Sequence, residues 1–359
     1  MLIDTHGEQL INTQSGDDKG IYAQGGLTLT TGELNNEQAR IVAKNALTLN
    51  SQGVNNQQGL VGSQSELTMN IQQLDNSEGV IKGQSINIDT QGQRLTNLAK
   101  TDEQGIFASQ NLALTIGELI NRQGKIQASQ ISLNSQKKRV DNSEGEILAA
   151  NDLTANTGAL DNQQGRLQAS HQLTLNSHGE VVNNSHTQKN GGILSGGGLS
   201  IDSGKLLNQQ GQIQSSEAAS LTTTGIENQN YQIFAGQSMD INTQQQVLLN
   251  QQGTLASNGK LELNTGDLTN TQGTVQGKLG LTVNAEQIDN QKGLLLSQSA
   301  LNVTGKNLDN TQGVVQSQGN ATLDIHQRIE NQQGQLLSGQ NLNVNTQQLN
   351  NASGVIQYQ

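Results

Sequence analysis

Five histidines, His6, His171, His178, His186 and His326, are the side chains best suited to hold a metal or move a proton, and three of them fall within sixteen residues. Zinc sites take their histidines from spacings of about three to five residues, whereas His171, His178 and His186 stand 7 and 8 apart. The chain has no cysteine, which removes thiolate ligands, thiol nucleophiles and disulfides together. The histidines therefore read as solvated loop residues, and no metal or other cofactor is expected. Neighbouring acids occur at Asp17-Asp18 and Asp102-Glu103. Two carboxylates can work as acid and base on a glycosidic bond when a fixed cleft holds them against the sugar. With two Phe, three Tyr and no Trp in 359 residues, little is available to build a sugar platform, and the acids read as turn residues. Neither enzyme activity nor a small-molecule ligand is expected.

Other charged or glycine-rich groupings are equally plain. Lys137-Lys138-Arg139 is the one basic cluster in a chain of net charge −11. With no basic stripe and almost no rings to stack on bases, the footprint of a nucleic-acid binder is missing. Gly196-Gly197-Gly198 is not followed by the G-G-x-G-x-D pattern of calcium-binding nonapeptides. No apolar run of about 18 residues could span a bilayer as a helix, and Met1-Leu2-Ile3-Asp4-Thr5-His6 lacks the regions of a signal peptide. The chain is expected to be either cytosolic or a piece of a longer exported protein.

The elements that must carry these residues follow from composition and period. Hydrophobic residues make up 31% of the chain and glycines number 41, too little apolar material for one large globular core. Disordered chains are rich in proline and charge, yet here proline is absent and charged residues are 14%. The chain is polar through Asn, Gln, Ser and Thr. An internal repeat resolves the contradiction. Asn121-Arg122-Gln123-Gly124-Lys125-Ile126-Gln127-Ala128, Asn162-Gln163-Gln164-Gly165-Arg166-Leu167-Gln168-Ala169 and Asn331-Gln332-Gln333-Gly334-Gln335-Leu336-Leu337-Ser338 share N-x-x-G-x-[IVL]-x-[AS]. A block L-x-[LIV]-x-[TS] follows, as in Leu173-Thr174-Leu175-Asn176-Ser177, and then [LI]-x-N leads into the next glycine.

Glycine slots fall at 20, 39, 59, 79, 105, 124, 145, 165, 191, 211, 231, 253, 273, 293, 313, 334 and 354, a mean spacing of about 21. Ala39 and Tyr231 replace the glycine; Asp17, Asp102 and Gln188 stand where asparagine otherwise sits three residues earlier. Within each repeat apolar and polar residues alternate over three to five positions, the period of a half-buried strand. Three short strands in about 20 residues make one coil of a parallel β-solenoid rather than a horseshoe or a propeller blade. The fold class expected is all-β, a right-handed parallel β-helix of about 17 coils.

A coil of this size buries too few side chains to offset the ordering of its backbone, so it must stack on its neighbours. Stacking aligns like residues. Asn56, Asn76, Asn121, Asn142, Asn162, Asn208, Asn250, Asn270, Asn290, Asn310, Asn331 and Asn351 are expected to form a hydrogen-bonded ladder. Gly59, Gly79, Gly124, Gly145, Gly165, Gly211, Gly253, Gly273, Gly293, Gly313 and Gly334 are expected at a sharp corner that wants φ > 0 or close backbone approach. With layers about 4.8 Å apart, 17 coils make a rod on the order of 80 Å long. Residues 1–359 are expected to form this single rod, as part of a much larger protein, with irregular insertions near 94–104 and 177–190. Insertions in a solenoid emerge as loops on one face, where they can bind a partner or simply be tolerated.

The recurring L-[DT]-N-x-x-G-x-[IVL]-x-[AS]-x-x-x-L-x-[LIV], carried by Leu74-Asp75-Asn76, Leu160-Asp161-Asn162, Ile288-Asp289-Asn290 and Leu308-Asp309-Asn310, resembles the repeat of filamentous haemagglutinins. The large exoproteins of contact-dependent growth inhibition carry the same repeat, and the resemblance runs over essentially the whole chain. It implies a right-handed β-helix exported by two-partner secretion through an outer-membrane transporter, its partner, to the medium or the bacterial surface. In that family an N-terminal secretion domain nucleates the helix and an effector or binding region lies further along. The sequence contains no convincing match to either, so the resemblance points to a stalk that extends distal binding or toxin regions. The alternative is an adhesive module that touches a receptor on host or neighbouring bacterial cells through its lateral face or inserted loops.

Overall fold

Side chains that alternate in and out over three to five residues, interrupted by polar corners, can only be buried if successive strands lie on top of one another. The computed structural model, which describes residues 1–15, 19–187 and 190–358, shows that arrangement in two compact units, Met1–Glu180 and Val181–Gln359. Every regular element among the described residues is a β-strand, and strand pairs are parallel in both units. The fold is a β-solenoid of about 17 turns. First strands number eight in the first unit, from Ile21–Ala23 to Arg166–Ala169, and nine in the second, from Gly192–Ser195 to Val355–Tyr358.

One coil shows the construction. After the corner at Asn76 comes a first strand, Val80–Gly83, then a second, Ser85–Asp89, and a third, Leu95–Thr96. Ile81, Ile86, Ile88 and Leu95 point inward and are almost completely buried. Each meets its own kind in the next coil: Ile81 opposite Ile106, Ile86 opposite Leu112, Ile88 opposite Leu114, Leu95 opposite Leu119. The fourth position of the first strand is small because the corner to the second strand is tight, hence Ala108, Ala128, Ala149 and Ala169 in the first unit and Ser215, Ser257, Ser297 and Ser317 in the second, all buried. Outward positions of the second strands carry short polar side chains, such as Thr48 and Asn50 or Thr68 and Asn70.

The corner between second and third strands varies from coil to coil. In Leu27–Asn35, Leu47–Asn55, Glu66–Asp75, Leu301–Asp309 and Ala321–Glu330 the strand runs through with a bend. In others a buried Ser or Thr bonds a carbonyl three residues on, as Ser135 Oγ does to Lys138 O at 2.6 Å and Thr243 Oγ1 to Gln246 O at 2.6 Å, across two consecutive left-handed residues, Gln136-Lys137 and Gln244-Gln245.

Three expectations change. The stretch 177–190 is not irregular throughout, because Ser177-His178-Gly179-Glu180 repeats the turn just described, with Ser177 Oγ 2.5 Å from Glu180 O, and Val182–Asn183 is an ordinary third strand. Likewise 94–104 contains the regular strand Leu95–Thr96. There the additional residues sit in the corner after the third strand, at 98–104, and the sequence intervals from Asn12 to Gly20 and from Asn184 to Gly192 are as long as that from Asn97 to Gly105. Second, Gly20 and Gly105 do not occupy the glycine slot. Gly105 stands level with Val80, and pairing of Ile21 with Ile41 puts Gly20 level with Arg40, one place into the strand. Third, Asp102 does not replace the corner asparagine, since Asn97 fills that place. The reason is common to all three: strand register is locked by hydrogen bonds to the neighbouring coil, so four additional residues must be absorbed in the corner. Asp17-Asp18 and Gln188 lie outside the described residues.

The asparagine corner and a lateral groove as candidate functional site

The third strand delivers an asparagine to each corner with its side chain turned inward. In the first unit Asn36, Asn56, Asn76, Asn97, Asn121 and Asn142 each donate from Nδ2 to Oδ1 of the next asparagine at 2.7–2.8 Å, the last reaching Asn162, and Asn12 donates to Asn36 at 2.7 Å. In the second unit the run goes from Asn184 through Asn208, Asn228, Asn250, Asn270, Asn290, Asn310 and Asn331 to Asn351 at 2.6–2.8 Å. From Asn36 to Asn331 the ladder residues are buried at 0% exposure. The same Nδ2 also bonds the carbonyl of its own slot residue and a first-strand carbonyl of the next coil, as Asn142 does with Gly145 O at 3.1 Å and Arg166 O at 3.3 Å. Just before the ladder, Asp75 Oδ1 accepts from the Ser77 amide at 2.9 Å and Asp309 Oδ1 from the Thr311 amide at 2.9 Å, fixing the turn as Asx turns.

The glycines are required by proximity, not by a left-handed backbone. The left-handed residue is the one before: Gln58, Glu78, Gln123, Gln164, Gln272 and Gln312 have φ of 54–57°. At Gly59, Gly79, Gly124, Gly145, Gly165, Gly211, Gly253, Gly273, Gly293, Gly313 and Gly334 a Cβ would lie 1.9–2.2 Å from the carbonyl oxygen of the preceding coil's ladder asparagine. Ala39 is accommodated with its amide 3.3 Å from Asn36 O, against 3.0 Å at Gly59. The long corners use glycine for both reasons. Gly20, Gly105 and Gly192 have φ of 133°, 138° and 108°, and a Cβ there would lie 2.1–2.3 Å from a carbonyl of the next coil.

Asn12, Asn97 and Asn184 are ladder residues that counting back from the glycine misses. A signal exists in the sequence: each begins N-x7-G-I, at Asn12 to Ile21, Asn97 to Ile106 and Asn184 to Ile193. An outward aromatic or aliphatic residue follows in each case, Tyr22, Phe107 and Leu194.

The titratable side chains are dispersed. His171 Nδ1 lies 2.7 Å from Asp152 Oδ1, His178 Nδ1 lies 2.9 Å from Thr157 O, and His6 sits 3.6 Å from Asp4. Among the described residues no group of three or more His, Asp or Glu is placed to hold a metal. Arg139 of the basic cluster reaches Asp161 at 3.3 Å and Asp141 at 3.4 Å. Asp141, with 2% of its side chain exposed, also receives Arg122 at 2.6 Å. Burial pushes its carboxyl up, but the Ser143 hydroxyl, the Arg122 guanidinium and the Ser143 amide outweigh that and hold it below the usual carboxylate range.

The long corner 98–104 overhangs the outer face of the first strands in its own unit. Lys100 Nζ to Glu78 at 2.6 Å and Lys125 Nζ to Asp102 at 3.6 Å tie it down, and Gln104 Oε1 accepts from the amides of Lys100 and Thr101 at 2.7 and 3.2 Å. In front of it lies a groove of about 850 Å3, floored by Leu60 and Val80 and ended by Phe107. Along one side runs an exposed row in which Gln38 Nε2 bonds Gln58 at 2.8 Å and Gln58 Nε2 bonds Glu78 at 3.1 Å.

Comparison with known proteins matches the chain to a family of repeats. The family described as haemagglutinin repeat matches residues 9–54, 42–99, 101–143, 136–185, 168–245, 240–292, 279–330 and 316–357. No curated protein and no solved structure matches the chain.

Proposed function

Because the chain belongs to the haemagglutinin-repeat family, its repeats matching from residue 9 to residue 357, we propose that it is a stalk segment of a two-partner-secreted bacterial adhesin or contact-dependent toxin-delivery exoprotein. On this reading it holds distal binding or toxin regions away from the cell surface. The observation that carries it is the repetition of one coil with one buried polar ladder in each unit. A stalk needs many equivalent layers, each stabilised by its neighbours, and an exterior of short polar side chains that attracts little. The outward Thr and Asn rows supply such an exterior. Export as an unfolded chain suits a sequence without cysteine, and an outer-membrane transporter is the partner the family implies. A second, adhesive reading draws on one feature, the groove beside 98–104.

The test is to excise residues 270–309, two coils of 20 residues between equivalent ladder asparagines, from the parent exoprotein. A stalk keeps its secretion and its distal activity and merely becomes shorter. Loss of all cell adhesion with secretion intact would overturn the stalk reading.

A further inference from the structure

We propose that the groove in front of the 98–104 overhang binds a short oligosaccharide, its C–H faces on Leu60, Val80 and Phe107 and its hydroxyls along the row Gln38, Gln58 and Glu78. This goes beyond the stalk reading and does not rest on it.

The overhang is a built feature. The same N-x7-G-I corner occurs three times, each with a glycine that alone fits its backbone. Ordering four additional residues at one corner costs conformational entropy, and here the Gln104 carboxamide accepts from the amides of Lys100 and Thr101 while the Lys100 ammonium pairs with Glu78. A ligand meeting this wall therefore finds it preorganised. At about 850 Å3 the groove has the volume of ordinary ligand clefts, about 300–1,000 Å3.

Its chemistry selects the ligand. An aliphatic floor with an aromatic end, beside a rail of carboxamides that both donate and accept, suits a molecule that is apolar on its faces and hydroxylated round its edge. A pyranose is such a molecule. A peptide added as a further strand is disfavoured, because the floor's backbone is already paired: Leu60 N donates to Ala39 O and Val80 N to Gly59 O, both at 2.8 Å. Hydrolysis is not part of the proposal. The hydrogen bond from Lys100 holds the Glu78 carboxyl below its ordinary range, so it carries no proton to give to a glycosidic oxygen at neutral pH.

The experiment exposes the whole chain to an immobilised panel of neutral and carboxylated di- to tetrasaccharides, with titration calorimetry on any that bind. At least one sugar is expected to bind more tightly than millimolar. Phe107→Ala should weaken it about tenfold. Replacing residues 98–104 by Ser-Glu-Gly, the short corner that follows Asn76, should abolish binding while the β-sheet circular dichroism is kept. Gln58→Ala alters only an exposed side chain, leaves the fold alone, and should weaken binding about threefold. No binding by any member of the panel, or binding unchanged in all three variants, overturns the proposal and leaves the stalk reading standing.

Discussion

The asparagine side chain is suited to its ladder because its amide is both donor and acceptor on one short stem. Nδ2 serves the next coil and Oδ1 the previous one, so each member of a buried run polarises the next. Removing one member leaves two neighbours short of a partner. Asn142→Ala is expected to destabilise the chain by about 1–3 kcal/mol, the cost of a buried unsatisfied polar group. Asn142→Asp, nearly the same shape, should cost more, since it sets a carboxylate against Asn162 Oδ1 and Arg166 O in place of a donor. Urea midpoints of the two variants check the order. Asp141 makes a second prediction at this scale. Its folded-state pKa is depressed, so its contribution to stability is present above the unfolded value of about 3.9 and is lost as pH falls through the folded value. Asp141→Asn should flatten the acid limb of stability against pH, and an unchanged limb would mean that the Arg122 and Arg139 pairs contribute nothing.

At the scale of the corner, proximity and backbone conformation can be separated. Gly165 meets only the close approach, a Cβ 2.2 Å from Asn142 O, and Ala39 shows that a Cβ in that slot can be accommodated. Gly165→Ala should therefore fold with a loss of about 1–3 kcal/mol from overpacking. Gly105 meets a carbonyl at 2.1 Å and also has φ of 138°, where a side chain adds a further strain of about 1–3 kcal/mol. Gly105→Ala should be the more damaging substitution, judged by thermal midpoint. Equal losses would show that the long corner relaxes. Ser and Thr at the second corner play a lesser part, because Ile71, Gly305 and Ile325 stand in coils where the strand simply bends through.

For the whole molecule, stability in a solenoid is close to a sum of coils and the interfaces between them. The repeat alone leads to the expectation of one rod over residues 1–359. Scattering from the purified chain should then show an elongated particle on the order of 80 Å long, shortened by about 10 Å when residues 270–309 are removed, at about 4.8 Å per layer. A particle of two lobes with variable separation would mean that the units are independent segments. That outcome would place a joint, rather than a rigid stalk, between the two.

Strand period, repeat length and the asparagine three residues before each glycine are all visible in the linear sequence. Each is local, arising from alternation across a pleat and from turn chemistry within about 20 residues. The family, too, is legible from that array, because Leu-Asp-Asn and the glycine recur together. What the linear order does not determine is how a coil of different length is fitted. Counting back from Gly105 selects Asp102, but hydrogen bonds to Asn76 and Asn121 select Asn97. The left-handed residue at each corner is likewise the one before the slot, most often a glutamine, a choice made by the carbonyl of the coil beneath. The groove arises only when four coils lie side by side under an overhang. Contacts between layers decide these features, since residues some 20 positions apart in sequence become neighbours only after stacking.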